Sequence, residues 1–420
     1  MEKLAEFVST HSDHDTTRLI LDRAKWPDID IDTAVNCIES RRKLKGKVNE
    51  WFNEPRLIFP LKLSAEQCSS SATGRYKAEL AKKIAGGSAE DSSFRIADLT
   101  GGLGVDSWFF SQKASAVLYN EMQRVLCKAA EHNFKILGAE NIKVNCAAAM
   151  PSELAEEGKS VTDLLYGFNP DIIYLDPARR GEGGKKVFLI EECTPDVLKL
   201  KEELHSISRH ILIKLSPMAD ISLVCNRLGN TCREVHVVSY GNECKELLIW
   251  MDRDWKEDYS VTAIETDIDG KGAEFTFMPQ EEKDAVASYT VGEHETGYLF
   301  EPGKSLMKAG AFNLISRRFG LTKLGASTHY YLTTDEETAE RLRNYGKTYR
   351  ILKASRLDKR SIKEAGKEYP NSEVTARNIP MDTDTLRKKL GTKSGDIHHI
   401  FGLRSDSQGP MLFVTEAVRK

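Results

Sequence analysis

A chain of 420 residues that is 40% hydrophobic and 29% charged has the balance of a soluble globular protein, with room for about two to four domains of ~100–200 residues. No run of about 18 apolar residues offers a helical membrane span, and Met1-Glu-Lys-Leu-Ala-Glu lacks the apolar region of a signal peptide, so a cytoplasmic protein is expected. The eight cysteines form no CxxC pair and sit in apolar settings, which reads as packed, reduced thiols rather than zinc ligands or disulfides; no metal is expected.

Residues 1–90 read as a helical region, with Leu19, Ile20 and Ala24, then Ala34, Cys37 and Ile38, at helical spacing. Within it, Arg41-Arg-Lys-Leu-Lys-Gly-Lys47 places five cations beside Trp51 and Phe52. Cations interleaved with aromatics suit a phosphate backbone with stackable bases, and a solvated helix face is the competing account. The polar, small-residue stretch Leu63–Lys77 fits either a loop that folds over a ligand or a helix-capping linker.

Next comes Phe94-Arg-Ile-Ala-Asp-Leu-Thr-Gly-Gly-Leu-Gly-Val-Asp106. An apolar strand ends in Asp98, and Gly101, Gly102 and Gly104 allow a sharp turn that brings backbone close to a ligand where a Cβ would clash. Val105–Gln112 then starts a helix whose free amides face that ligand. A glycine turn with no ligand is the plainer account, so the weight falls on the residues that close the later strands at matching intervals.

From Ser93 to Arg253 strands and helices alternate, the pattern of a parallel sheet with crossover helices. The expected strands are Arg95–Leu99, Ala116–Asn120, Ile142–Asn145, Asp171–Leu175, His210–Leu215, Glu234–Val238 and Glu246–Met251. In Arg124–Leu137, Leu126, Ala129, Ala130, Phe134 and Leu137 can face the sheet. Tyr240–Lys245 is too short for a crossover helix, so the last two strands should form an antiparallel hairpin.

After Arg253 the texture changes to a small α+β segment, 254–340. Val261-Thr-Ala-Ile-Glu-Thr and Ala273-Glu-Phe-Thr-Phe flank a turn at Asp267–Gly272, and a helix is expected over Lys304–Phe319. Residues 341–420 hold 18 Lys/Arg against 9 Asp/Glu, which makes a basic module within a chain of net charge -3. Such a patch attracts polyanions such as RNA, with a merely solvated charged face as the commoner account of any single Lys/Arg run. Its expected elements are strand Thr348–Ala354, a helix after Asp358, strand Glu373–Asn378, a helix near Thr383–Leu390 and strand Met411–Val414.

The acids fall in register with the sheet. Glu121 ends the second strand, where a carboxylate can accept both ribose hydroxyls, or is simply an exposed Glu opening a helix. The third strand ends in Asn145-Cys-Ala-Ala rather than an acid, so base recognition there rests on backbone or on Asn145. The fourth closes as Tyr174-Leu-Asp-Pro-Ala-Arg-Arg180.

This combination resembles the class I S-adenosylmethionine-dependent methyltransferases over residues 91–253, a Rossmann-like seven-stranded fold. The resemblance implies S-adenosylmethionine as cofactor, with Asp98, Gly101, Gly102 and Gly104 on its methionine part and Glu121 on the ribose. It sets Asp176, Pro177 and Arg179 toward the methyl acceptor, and Lys214 and Ser216 would border the same cleft. The whole chain is similar to a bacterial group in which this domain is followed by ferredoxin-like and THUMP-like segments. The matching stretches are Leu63-Ser-Ala-Glu-Gln-Cys-Ser-Ser, Asp176-Pro-Ala-Arg, Lys214-Leu-Ser-Pro-Met218, Tyr298-Leu-Phe-Glu-Pro and Lys308-Ala-Gly310. THUMP domains accompany RNA modification, so RNA is the partner expected, through the basic tail and Arg41–Lys47.

Two departures bear on the acceptor. Ala178 and Arg179 stand where amine-methylating enzymes carry a second proline and an aromatic, and Ser216 stands where a carbon-5 pyrimidine methylase needs cysteine. Three rivals are a nicotinamide dehydrogenase, since Gly102-Leu-Gly-Val-Asp-Ser107 nearly fits GxGxxG, a non-catalytic RNA-binding protein, and a methyltransferase of protein or small molecules.

Overall fold

The computed structural model describes residues 2–86, 93–156, 159–179, 190–290 and 296–418. They divide into two compact units. The first holds Met1–Tyr240, Lys245–Tyr259 and Thr266–Lys271; the second holds Gly241–Cys244, Ser260–Glu265 and Gly272–Lys420.

The first unit begins with helices α1 (Glu2–Thr10), α2 (Thr16–Leu21), α3 (Ile31–Leu44), α4 (Asn49–Phe52), α5 (Lys62–Gln67) and α6 (Ser71–Ile84). Phe7, Val8, Leu19, Ile31, Ala34, Cys37 and Ile38 form their core. Ile20 and Ala24, read at helical spacing with Leu19, are exposed. The helix is short: α2 ends at Leu21, and Ala24 lies in a separate turn, Arg23–Lys25. Leu63–Lys77 falls in α5 and α6 with the short link Cys68–Ser70 between them, the Ser70 hydroxyl capping α6 through the Thr73 amide and the Thr73 side chain returning the bond.

The sheet comprises β1 (Arg95–Asp98), β2 (Ala116–Asn120), β3 (Ile142–Asn145), β4 (Ile172–Leu175), β5 (His210–Leu215), β6 (Cys232–Tyr240) and β7 (Glu243–Asp252). Its order is β3-β2-β1-β4-β5-β7-β6. The strands β1 to β5 pair in parallel, and β7 runs antiparallel to β5. Every residue of β4 is buried, as a strand covered on both faces requires. Gly241 and Asn242, at φ 62° and 65°, turn β6 back into β7. Between the strands run α7 (Val105–Ser111), α8 (Arg124–Ile136), α9 (Val161–Leu165), α10 (Val197–Ile207) and α11 (Ile221–Leu228). In α8 the expected Leu126, Ala129, Ala130 and Phe134 are buried. Strand order reverses between β2-β1 and β4, and in such sheets ligands bind outside the carboxyl ends at that reversal.

The second unit contains the expected hairpin, β8 (Ser260–Thr266) antiparallel to β9 (Glu274–Phe277). The helix expected over Lys304–Phe319 is two, α12 (Lys304–Ala309) and α13 (Leu314–Phe319), because Gly310 at φ 81° caps the first. A larger sheet includes β10 (Tyr298–Pro302), β11 (Gly346–Arg356), β12 (Asn371–Arg377), β13 (Lys393–Ser405) and β14 (Gly409–Ala417), in the order β10-β11-β14-β13-β12. Helices α14 (Lys359–Glu368) and α15 (Thr383–Leu390) pack with it through Ile362, Ala365, Leu386 and Leu390. β13 was not expected from the sequence. Its first half is mostly exposed and polar, and only Ile400–Leu403 is continuously buried, so it shows no alternation.

Candidate active site

In the first unit the carboxyl ends of β1, β2, β4 and β5 open onto a cavity of about 1500 Å³. Of the residues singled out from sequence, Asp98, Gly101, Gly102, Gly104, Glu121, Asp176, Pro177, Lys214 and Ser216 all line it. Asn145 does not, and Arg179 is placed only by its backbone, in a two-residue pairing of Ala178–Arg179 with Cys193–Thr194. Arg180 lies outside the described residues.

The glycine turn is built by close packing. A Cβ on Gly101 would fall 2.2 Å from the Tyr119 ring, and one on Gly104 would fall 2.7 Å from Phe134. Gly104 also takes φ 93° as the N-cap of α7, which favours glycine. The Tyr119 hydroxyl straps the turn by donating to the Gly102 carbonyl at 2.7 Å.

Asp98, 1% exposed, accepts from the Thr100 amide at 3.0 Å and the Ser107 hydroxyl at 2.6 Å. Burial outweighs those bonds and pushes its carboxyl up to about 7, aided by the nearby charges of Asp106 and Asp176. A cation brought beside it would pull that value back down.

Glu121 is held at the mouth of β2 by the amides of Gly102 (3.0 Å) and Gln123 (2.8 Å). Each carboxylate oxygen keeps a further lone pair for a ligand hydroxyl. Asn145 serves differently from expectation: its amide donates to the Asn120 side chain at 2.8 Å, and Asn120 in turn bonds both backbone groups of Ala147. That latch positions Ala147–Met150, which do line the cavity.

At the far side Asp176 is tied to Lys214 by an ion pair, while its own amide donates to Thr100 at 2.6 Å. Beneath lies a network that sequence reading missed. The Lys77 ammonium, 0% exposed, donates to Glu246 at 2.7 and 2.9 Å and to Ser69 at 2.9 Å, and stands 3.3 Å from Asp106. Asp106 also accepts from Ser69 and Tyr174. Burial alone would depress Lys214, but the carboxylates of Asp176, Asp106 and Glu246 overturn it and hold the ammonium above its ordinary value. Burial raises Glu246, with Lys77 opposing. The visible signal for this network was a lysine within small residues of α6 and an acid inside an apolar strand.

The cluster Arg41–Lys47 is divided between the interior and the surface. Arg41 is buried, its guanidinium donating to the carbonyls of Phe52, Glu54, Pro55 and Leu57 at 2.8 to 3.0 Å, and Trp51 is wholly buried. Arg42 bonds the carbonyls of Ser12 and His14, Lys43 pairs with Glu66, and Lys47 bonds the carbonyls of Ala65 and Glu66. Arg41, Arg42 and Lys47 thus close backbone carbonyls, whereas Lys45 is exposed and lines the cavity beside Lys47.

The donor set fits S-adenosylmethionine: a buried carboxylate whose charge needs a cation, a close backbone turn, and a second carboxylate for a ribose. The cavity exceeds the roughly 300–1,000 Å³ of a small-ligand pocket, which leaves space for an acceptor. Among the described residues no cluster of His, Cys, Asp and Glu could hold a metal ion, and no helix is long and apolar enough to cross a membrane.

A ferredoxin-like domain model matches residues 298–338, and a THUMP domain-like model matches residues 346–417. The chain is similar over its whole length to a crystal structure described as "putative methyltransferase from Porphyromonas gingivalis W83", with 28% identity, 100% of this chain and 98% of that one covered, and a TM-score of 0.83. Partial likenesses include a predicted O-methyltransferase, protein Atu636, from Agrobacterium tumefaciens (14% identity, 42% and 82% covered, TM-score 0.31). Another is an rRNA methylase from Streptococcus thermophilus (13% identity, 43% and 93% covered, TM-score 0.28). Scores that low carry no weight for function. No curated protein matches the sequence significantly.

Proposed function

We propose that this chain, a class I S-adenosylmethionine-dependent methyltransferase by fold with ferredoxin-like and THUMP-like domains behind it, methylates a nucleotide of cytoplasmic RNA. The observation that carries the reading is that the carboxylate-and-glycine cradle and the Asp176–Lys214 pair line one cavity. The basic balance of residues 341–420 and the THUMP-like match supply the support for RNA.

When bound, S-adenosylmethionine supplies a methyl group already activated on a sulfonium. The protein's task is then alignment and exclusion of water more than acid–base chemistry. Asp98 would take the ammonium of the methionine part, Gly101, Gly102 and Gly104 would let the backbone close on that part, and Glu121 would take the ribose hydroxyls. Ala147–Met150, latched by Asn120 and Asn145, would wall the base. Asp176, Pro177 and Lys214 would face the acceptor, with Arg179 on the same loop.

Mass spectrometry of nucleosides from cells with and without the protein tests the reading. A methylated nucleoside that disappears from tRNA or rRNA on deletion is the expected result. An unchanged set of marks, with labelled methyl passing instead to protein or a small molecule, overturns the RNA assignment. No transfer to anything would leave a non-catalytic RNA-binding protein.

A further inference from the structure

The acceptor side of the cavity presents a carboxylate and an ammonium side by side. Asp176 is 37% exposed and Lys214 12% exposed, and both line the cavity at the ends of β4 and β5. The hydrogen bond that the ammonium makes goes to Asp176, which uses one of its three N–H donors. The pair therefore offers an acceptor and a donor at adjacent points. It is held there by more than itself: Asp106 and Glu246, fixed by Lys77, stand behind Lys214 and keep it charged.

A permanent cation at that point discriminates between kinds of nucleophile. An exocyclic amine becomes positively charged as it takes a methyl group, so a neighbouring ammonium opposes the transition state. A ring lactam behaves in the opposite way. Its N–H is lost as the methyl arrives, negative charge collects on the adjacent carbonyl oxygen, and an ammonium there stabilises it.

We infer that the methyl acceptor is a ring lactam of a nucleobase, an N–H beside a carbonyl as at N1 of guanine or N3 of uracil, with Asp176 receiving the N–H and Lys214 donating to the carbonyl oxygen. The inference rests on the RNA methyltransferase reading above. In the step, the N–H proton passes to the Asp176 carboxylate and the nitrogen pair forms the new N–C bond. The C–S bond breaks with its pair left on sulfur, so the sulfonium becomes a neutral thioether, and Asp176 releases the proton to water. A carbon-5 pyrimidine route would need a thiolate. Among the described residues Cys68 lines the cavity, but its thiol donates to the Ala65 carbonyl at 3.3 Å and burial pushes its pKa up.

The test incubates the purified full-length protein with methyl-labelled S-adenosylmethionine and total tRNA and rRNA from cells lacking the protein, then identifies the labelled nucleoside by mass spectrometry. A ring-nitrogen product, 1-methylguanosine or 3-methyluridine, is expected. Label on an exocyclic amine, on carbon 5 or on a ribose hydroxyl overturns the lactam inference and leaves the RNA reading standing. No label in RNA overturns both. On the labelled RNA, Lys214→Met should lower kcat about 10²–10³-fold with the KM for S-adenosylmethionine nearly unchanged, and Lys214→Arg should recover part of it. The Lys214→Met rate should climb toward pH 9 as the lactam ionises by itself. A Lys214→Met enzyme with unaltered kcat, or one that loses activity without that pH rise, overturns the assignment.

Discussion

Asp98 shows how burial prepares a residue for a ligand. Its folded value of about 7 lies above its ordinary carboxylate value, so its contribution to stability is full below about pH 4 and is lost as pH rises through about 7. Asp98→Asn removes that loss. Its melting temperature relative to the parent should therefore be higher at pH 8 than at pH 5, by thermal denaturation without cofactor. The same burial makes S-adenosylmethionine affinity climb from pH 6 to pH 7.5, because the ammonium prefers the ionised carboxylate. In Asp98→Asn, calorimetry should show both a loss of about tenfold or more and a flat pH dependence. Lys77 is the second residue whose burial decides its effect. Lys77→Met takes from Asp106 and Glu246 the buried cation in direct contact with them and leaves Lys214 to answer both, a change that costs on the order of 3–5 kcal/mol, read as a lower midpoint in urea. Asp98 and the three glycines were legible beforehand because a strand ending in an acid and a glycine turn is a local pattern. Lys77 was not legible as Glu246's partner: the two lie far apart along the chain, and a lysine among small residues or an acid in an apolar strand does not by itself say what it pairs with.

At the scale of elements, the cation-rich end of α3 illustrates how one composition serves two purposes. Arg41 anchors the segment after α4 by filling four carbonyls. Charged hydrogen bonds of this kind are worth about 1.5–3 kcal/mol, and leaving their buried partners unpaired costs more. Arg41→Ala should lower the melting temperature markedly while RNA affinity, measured at a temperature where the variant is folded, stays at the parent's value. The sequence pattern there is the same for a polyanion site and for an internal anchor; which one results depends on whether open carbonyls come within reach. The glycine turn makes a related point. Gly101→Ala forces a methyl into the Tyr119 ring, so cofactor binding should fall, and Tyr119→Ala in the same chain should restore part of it. Tyr119 sits on β2 and Gly101 in the turn just beyond β1, neighbouring strands whose pairing was readable from their alternation with helices.

At the scale of the whole molecule, the second unit joins residues matched as ferredoxin-like and THUMP-like in one sheet through β10 and β11. Removing residues 341–420 would strip β11 from β10, so charge substitutions test RNA binding more cleanly than truncation. Lys388 and Lys389 are exposed on α15. Replacing both with Glu should weaken RNA binding and reduce the slope of log affinity against log salt, by about one for each phosphate no longer neutralised, with melting temperature nearly constant. An unchanged slope would remove this face from the interface. The sequence by itself determined the alternation of strands and helices, the acids at strand ends and the basic tail, because periodicity, turn chemistry and charge are properties of neighbours along a chain. Only the tertiary structure decided that Asn145 latches a loop, that Arg41 is an internal anchor and that Lys77 and Glu246 pair beneath the cavity. Those roles arise when distant segments are brought together and water is removed from between them, and burial of that kind leaves no periodic trace in the sequence.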